Sequence, residues 1–308
     1  MVRIAIAILS LQLSACDRFI SAAMVFAPNR GDDVAAKSSS PATLKFLGID
    51  HEMRVEVGPP PASLRLWVIE PQAAGQSSQA EPRGTLLVLH GYRASSMWIR
   101  GMGKGFAQSG YRVVMVDARG HGRSSGQYMT YGVVESRDAS QVIDALERQG
   151  LVAGKLGVWG ISMGGATAIQ LAARDSRVSA VVAVAPYTTM RDVVPGVVRL
   201  LMPVYGWFLS DETIRRQVDA AGERAGFDPD EADTLAAMRR VQVPTLIVHG
   251  GGDWIVPPNH GRRLHEANPE HTTFVELCCT GHIAAHFSGA VERQSVKWFT
   301  AHLPNDHK

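Results

Sequence analysis

A serine between two glycines is the residue in this sequence best placed to do covalent chemistry. Ser162 is the centre of the pentapeptide Gly-Ile-Ser-Met-Gly at 160–164, between the apolar run 156–159 and small residues typical of a closely packed helix. A strand, a sharp turn and a helix in this order hold a serine in strained backbone geometry, with no space for a Cβ at the flanking positions. The pattern predicts that Ser162 is a nucleophile in a turn formed by Gly160 and Gly164.

A serine hydroxyl attacks a carbonyl group only when a base takes its proton, and that base needs a carboxylate to orient it. The chemistry indicated is acyl transfer in two halves, through an acyl-enzyme that water then hydrolyses. The oxyanion formed on the way needs N–H donors. The amide of Met163 is one candidate, because it follows the nucleophile at a helix N-terminus, where free N–H groups and the helix dipole favour negative charge.

Six continuous apolar runs are typical of strands buried on both faces of a parallel sheet. They are 85–89, 112–116, 156–159, 178–185, 244–249 and 273–277. Segments with helical spacing of apolar residues separate them, for example 135–149. The alternation predicts a mostly parallel, doubly wound α/β sheet with right-handed crossovers and with the functional groups at the carboxyl ends of its strands.

Three shorter runs precede these strands and are interpreted as strands of an antiparallel N-terminal edge. They are 44–47, 52–57 and 63–69, the last two joined by the Gly-Pro-Pro-Pro turn at 58–61. A different pattern interrupts the alternation at 187–225, where an apolar cluster with two prolines is followed by a polar helical segment. We interpret it as a small helical lid; the alternative is that these residues only fill the core.

From about residue 44 to the C-terminal helix, the sequence resembles the α/β-hydrolase superfamily, beginning with the strand-turn-helix around Ser162. The segment His90-Gly91-Tyr92-Arg93 is similar to the family's H-G-x loop, which implies that the Tyr92 amide is the second oxyanion donor. The glycine-rich segment 117–126 also resembles a family loop. We assign Asp117 and His121 in it to loop structure, since the glycines indicate backbone constraint.

The resemblance also implies the partners of Ser162. His249 to Pro257 is similar to the family's H-G-x-x-D-x-x-V-P segment and places Asp253 just past a strand as the acid. His282 follows the last predicted strand, where the family has its histidine, and is assigned as the base. The chain order Ser, Asp, His is that of the α/β hydrolases.

Four other side chains are alternatives for these roles or for contact with the pocket. Asp192 is an alternative acid, and His249 and His121 are alternative histidines that fit the scaffold better. His286 could contact the pocket or cap a helix.

The N-terminus is similar to a bacterial lipoprotein signal. A basic start, the apolar segment 4–13 and Leu-Ser-Ala before Cys16 imply cleavage after residue 15 and lipidation of Cys16, with Asp17 favouring the inner membrane facing the periplasm. The alternatives are an ordinary apolar N-terminus, which would leave the protein cytoplasmic, or an uncleaved anchor. The predicted organisation is a signal over 1–15, a tether or spacer over 16–42 and a hydrolase domain over 43–308. Cys278 and Cys279 end an apolar run and are predicted to be buried thiols.

Composition narrows the function further. The 308 residues carry 31 basic and 29 acidic side chains, which offers no electrostatic footprint for nucleic acid. No motif for a metal ion or a dinucleotide is present, so cofactor-free chemistry is expected. The resemblance implies hydrolysis of small-molecule carboxylic esters or thioesters, as in monoglyceride-lipase-like members. A serine peptidase, similar to serine aminopeptidases or prolyl oligopeptidases, is the alternative, and a catalytically silent, membrane-tethered binding protein is another. The oligomeric state is not predicted.

Overall fold

An eight-stranded sheet in the order β1-β2-β4-β3-β5-β6-β7-β8 forms the centre of the protein. The structure is a computed structural model and describes residues 20–28, 39–72, 81–202, 205–285 and 287–304. The strands are β1 (His51–Val57), β2 (Ala62–Ile69), β3 (Thr85–Leu89), β4 (Arg112–Val116), β5 (Leu156–Ile161), β6 (Val178–Val184), β7 (Thr245–Gly250) and β8 (Thr272–Leu277).

The strand directions confirm the predicted sheet. β2 pairs antiparallel with β1 and with β4, whereas all pairings among β3 to β8 are parallel. The β3–β4 register joins Thr85 to Arg112, and the β3–β5 register joins Thr85 to Leu156, so these strands end at one edge of the sheet. Side chains that follow them are therefore brought together.

The prediction of a strand over 44–47 is wrong. These residues belong to helix α1 (Pro41–Leu47), which begins with Pro41 and ends before Gly48, whose φ is +67°. The Ser40 side chain accepts a hydrogen bond from the Thr43 N–H at 3.1 Å. Caps at both ends thus favour a helix over the strand that the short apolar run indicated.

Helices cover both faces of the sheet. The buried side chains of α3, α4, α7 and α8 pack on one face, and those of α2 and α10 pack on the other. The helices are α2 (Ser96–Gln108), α3 (Val133–Arg148), α4 (Met163–Ala172), α5 (Met190–Leu201), α6 (Asp211–Ala225), α7 (Thr234–Met238), α8 (Asn259–Ala267), α9 (His282–Ala285) and α10 (Gly289–His302). None of the helices in the described ranges is long and apolar enough to cross a membrane.

A third apolar cluster lies beside the carboxyl ends of the strands. It joins α5 and α6, within the segment 187–225 predicted as a lid, to Met163 and to Ile20, Met24 and Val25. Residues 20–25 are helical and buried or half-buried. The predicted spacer over 16–42 therefore needs correction at 20–28, since apolar packing holds this stretch against the domain. The predicted signal over 1–15 and Cys16 lie outside the described residues.

The prediction that Cys278 and Cys279 are buried is also wrong, since both are exposed. The apolar run that suggested burial belongs to β8, which is an edge strand with alternating exposure. The two cysteines lie just past its end, in a turn.

Candidate active site

Ser162 occupies a strained turn between β5 and α4. Its φ is +54°, a value that a residue with a Cβ rarely adopts, and its N–H donates to the Val184 carbonyl at 2.8 Å. A Cβ on Gly160 would collide with the Gly164 carbonyl, and one on Gly164 would collide with the Leu89 carbonyl. Both positions therefore require glycine, and the turn presents the Ser162 hydroxyl at the carboxyl edge of the sheet.

The structure brings the three predicted triad residues into one hydrogen-bonded line. His282 Nε2 lies 3.0 Å from Ser162 Oγ, and His282 Nδ1 lies 2.6 Å from Asp253 Oδ2. An ionised carboxylate only accepts hydrogen bonds, so Nδ1 carries the proton and Nε2 is left to accept the serine hydroxyl. All three side chains are buried. This is the arrangement in which a histidine can take a proton from an attacking serine.

Asp253 is held from several sides. Its Oδ1 accepts the backbone N–H groups of Ile255 at 3.0 Å and Val256 at 2.9 Å, which leaves Oδ2 for His282. His249 Nε2 lies 3.7 Å from Oδ2 but is 2.7 Å from the Val256 carbonyl, to which it donates when neutral. Burial lowers the pKa of His249, so it stays neutral beside the acid.

The loop that carries the Tyr92 amide is anchored by two buried histidines. His121 Nδ1 lies 2.8 Å from the Arg119 carbonyl, and its Nε2 accepts the Arg93 N–H at 3.3 Å. His90 Nε2 accepts the Ala118 N–H at 3.0 Å. Both rings accept a backbone N–H at Nε2, which only a neutral imidazole can do.

Burial keeps these two histidines neutral. It lowers the pKa of His90 and is the largest cause that lowers the pKa of His121 to about 3. Asp117, buried beside them, accepts the N–H groups of Ser96 at 2.8 Å and Arg123 at 2.9 Å and pairs with Arg65. The structural roles predicted for Asp117 and His121 match these contacts.

A cavity of about 240 Å³ opens above the serine. Tyr92 and Met163, the predicted oxyanion donors, both line it, and Met163 is the first residue of α4, so its N–H has no acceptor within the helix. Arg93 and His282 are the basic side chains among the described lining residues. No carboxylate is among these residues. The other lining residues are mostly apolar or aromatic: Trp98, Tyr131, Tyr187, Val193, Val197, Leu200, Ile255, Val256, Ile283 and Phe287.

Comparisons with known proteins agree with this architecture. The sequence model of the family described as serine aminopeptidase, S33, matches residues 80–224, just under half of the chain. An esterase of Pyrococcus furiosus superposes with a TM-score of 0.66 at 19% identity, covering 91% of this chain and 98% of the esterase. The chain has the α/β-hydrolase fold.

The chain spans only about half or less of the length of three other similar proteins. A puromycin-hydrolyzing peptidase of Mycobacterium tuberculosis superposes with a TM-score of 0.62 at 18% identity, over 87% of this chain and 41% of the peptidase. The uncharacterized protein YqkD of Bacillus subtilis is 26% identical over 171 residues, 52% of each chain. The lysophosphatidylserine lipase ABHD12 of Rattus norvegicus is 28% identical over 165 residues. The match spans 51% of this chain and 37% of ABHD12.

The described rival residues have hydrogen-bond partners other than the serine and His282. Asp192 accepts hydrogen bonds from Thr188 at 2.6 Å and Arg263 at 2.9 Å. His249 faces Val256, as described above. His286 lies outside the described residues.

Two groups of residues at the site escaped the sequence prediction. The first is the segment 20–28, whose carbonyls accept hydrogen bonds from Tyr92 at 2.9 Å, through Ala23, and from Tyr131 at 3.0 Å, through Met24. This segment falls within the predicted spacer over 16–42, and nothing in its sequence indicated packing against the domain. The second is the rim of the cavity, where Trp98, Ile283 and Phe287 are 59%, 63% and 66% exposed. Ile283 and Phe287 follow His282 closely in the sequence, and this position could have predicted that they lie at the cavity.

Proposed function

We propose that this protein is a serine hydrolase that cleaves carboxylic esters or thioesters through an acyl-enzyme on Ser162. The observation that carries the proposal is the buried hydrogen-bonded line from Asp253 through His282 to Ser162, which ends at the floor of an apolar cavity. A cavity lined mostly by apolar side chains, with a few polar groups converging on one point, is typical of a small-molecule site.

The mechanism follows from these positions. His282 Nε2 takes the hydroxyl proton as Ser162 Oγ attacks the acyl carbon, and the Met163 and Tyr92 amides stabilise the oxyanion. The protonated His282 then gives its proton to the departing alcohol or thiol, leaving the acyl group on Oγ. Water, activated by the same nitrogen, hydrolyses this ester. Asp253 orients His282 and stabilises the imidazolium, and loss of one oxyanion donor typically costs about 3 kcal/mol of transition-state stabilisation.

The walls of the cavity favour an apolar acyl chain. Val193 and Val197 of α5, together with Ile255, offer no hydrogen-bonding side chain to a polar substituent. The rim continues this surface outward through exposed Trp98 and Leu200, which suits a water-insoluble ester. The names of two relatives, an esterase and a lysophosphatidylserine lipase, agree with this substrate class.

A serine peptidase is the second candidate. The description of the matching family, serine aminopeptidase, and the name of the puromycin-hydrolyzing peptidase favour it. An aminopeptidase holds the ammonium group of its substrate, and a carboxylate is the natural partner for that charge. The described lining of the cavity contains Arg93 and no carboxylate, so the electrostatics favour the ester.

Hydrolysis of p-nitrophenyl esters of increasing acyl length tests the proposal, with the wild type compared with Ser162→Ala. Ser176→Ala is the matched control, because Ser176 is exposed and lies just before β6, at the opposite edge of the sheet. We expect turnover by the wild type and the control and none by Ser162→Ala, with a preference for medium or long chains. Turnover of aminoacyl p-nitroanilides but not of esters would favour the peptidase. Failure of wild-type Ser162 to react with a fluorophosphonate would indicate the catalytically silent protein.

Attachment to a membrane through a lipid on Cys16 is also part of the proposal. The apolar start of the sequence supports it, and residues 20–25 follow Cys16 closely enough to hold the cavity near the membrane surface, since four residues span at most about 14 Å. Mass spectrometry of the mature N-terminus tests this. A chain that begins at any residue other than a diacylated or triacylated Cys16 would contradict it.

A further inference from the structure

Two adjacent cysteines lie in the turn between β8 and the histidine of the triad. Cys278 and Cys279 are both exposed, and their Sγ atoms are 3.0 Å apart. Cys279 has a φ of +57°, and the Thr280 N–H donates to the Leu277 carbonyl at 3.4 Å, which closes a tight turn around the pair. Small molecules can therefore reach two thiols whose sulfur atoms already face each other.

This turn is connected to both loops of the triad. The Thr280 carbonyl, two residues before His282, accepts the Gly252 N–H at 3.0 Å, and Gly252 directly precedes Asp253. On the other side of the cysteines, the Leu277 carbonyl accepts the Gly251 N–H at 2.8 Å. A change in the backbone of the two cysteines would consequently reach the acid and the base together, whereas Ser162 is held separately by β5 and α4.

We propose that Cys278 and Cys279 are an oxidation site for small-molecule disulfides, and that closing a bond between them lowers activity by moving His282 relative to Ser162. The second half rests on the function proposed above, and the first half does not.

The reaction is a pair of thiol–disulfide exchanges. One cysteine thiolate attacks a sulfur of a disulfide such as oxidised glutathione, and one glutathione thiolate leaves. The second cysteine thiolate then attacks the sulfur of the mixed disulfide, which forms the Cys278–Cys279 bond and releases the second glutathione. Two cysteine thiols are oxidised, one external disulfide is reduced to two thiols, and the two cysteine protons pass to the two released thiolates.

A bond between adjacent cysteines strains the backbone of the turn. Neighbouring Cα atoms are about 3.8 Å apart across a trans peptide bond, below the roughly 4.4–6.8 Å common for disulfides. Closing the ring must therefore change the backbone of the turn, and a strained, exposed disulfide is easily reduced again. The hydrogen bond with Cys279 raises the pKa of Cys278, so oxidation should quicken as the pH rises and more thiolate forms.

The experiment incubates the full chain with oxidised glutathione and then maps the tryptic peptide 264–293, which contains both of these cysteines and not Cys16. We expect this peptide to lose two hydrogens and to resist alkylation. The kcat for the best ester should fall by about ten- to a hundredfold, which a displacement of the base by about 1 Å can cause. Dithiothreitol should restore both. The Cys278→Ser/Cys279→Ser protein is the matched control and should keep its kcat throughout.

Several outcomes would overturn the proposal. If both thiols still react with iodoacetamide after oxidation, or if the cysteines join two molecules, the site is absent. If the internal bond forms and kcat does not change, the link to His282 is wrong. The peptide mass and the alkylation need no substrate, so they test the site even if esters are not hydrolysed. The rate of fluorophosphonate labelling then reports the effect on Ser162.

Discussion

Acidification from pH 7.5 to pH 5 should destabilise this protein through histidines that the fold keeps neutral. His121 and His260 are buried, and burial is the largest cause that lowers their pKa values, to about 3 and about 4. In the unfolded chain a histidine has a pKa of about 6.5. Between these values the unfolded state binds a proton that the folded state does not. The contribution of these histidines to the free energy of unfolding is therefore fully present above pH 6.5 and decreases as the pH falls.

The size of the effect follows from the pKa differences. At pH 5 each histidine is about 1.5 pH units below its unfolded pKa, and each unit is worth about 1.4 kcal/mol, so each one costs about 2 kcal/mol. Burial also lowers the pKa values of His90 and His249, which act in the same direction. The buried Asp138 acts in the opposite direction, because burial raises its pKa to about 6.

A comparison of variants isolates the contribution of one histidine. Urea unfolding at pH 7.5, 6.5, 6 and 5 measures how the free energy of unfolding decreases with pH. Below pH 6.5 this decrease should be smaller for His121→Asn than for the wild type, by about 1.4 kcal/mol per pH unit. The variant is expected to be less stable at every pH, because Arg93 N–H loses its acceptor, but the slope reports only the proton. Equal slopes for the two proteins would refute the view that the fold holds His121 neutral.

Three further predictions concern the proposed catalytic site. Asp253→Asn should lower kcat by about 10⁴-fold in ester hydrolysis, because the amide no longer fixes the proton on Nδ1 of His282. Gly164→Ala should reduce kcat and lower the free energy of unfolding by about 1–3 kcal/mol in urea titrations, because its Cβ would collide with the Leu89 carbonyl. Val197→Phe, which adds a ring to the wall of the cavity, should shift the preferred p-nitrophenyl ester to a shorter acyl chain while acetyl ester hydrolysis changes little.

Each of these predictions has a control within the chain. Asp192→Asn removes the rival acid and should leave kcat within a few fold; a loss as large as that of Asp253→Asn would contradict the assignment. Gly101→Ala adds a Cβ inside α2 that meets no neighbouring group within 4 Å, so it should leave kcat unchanged and should not destabilise the protein, in contrast to Gly164→Ala. For Val197→Phe, an unchanged chain-length profile would show that acyl chains do not contact α5.

The arrangement of the sheet and the turn that holds Ser162 were both predictable from the sequence. Continuous apolar runs occur where strands are buried on both faces, and the β3 to β8 pairings confirm the parallel arrangement they predict. The turn around Ser162 could also be predicted, because its requirement is local. The backbone approaches Gly160 and Gly164 so closely that a Cβ at either position would collide with a carbonyl oxygen. The pentapeptide 160–164 alone therefore indicates the turn.

Other features differed from the sequence prediction, through local caps or through contacts that are distant in sequence. A short apolar run predicted a strand at 44–47, but these residues belong to a helix that is capped at both ends. The apolar run at 274–279 belongs to an edge strand and the turn after it, where both cysteines are exposed. The packing of residues 20–28 against Tyr92 and the pairing of His90 with His121 join segments that are about 30 to 70 residues apart. Periodicity reports which face of an element is apolar, whereas its partner, its burial and the protonation of its histidines are decided only when the chain has folded.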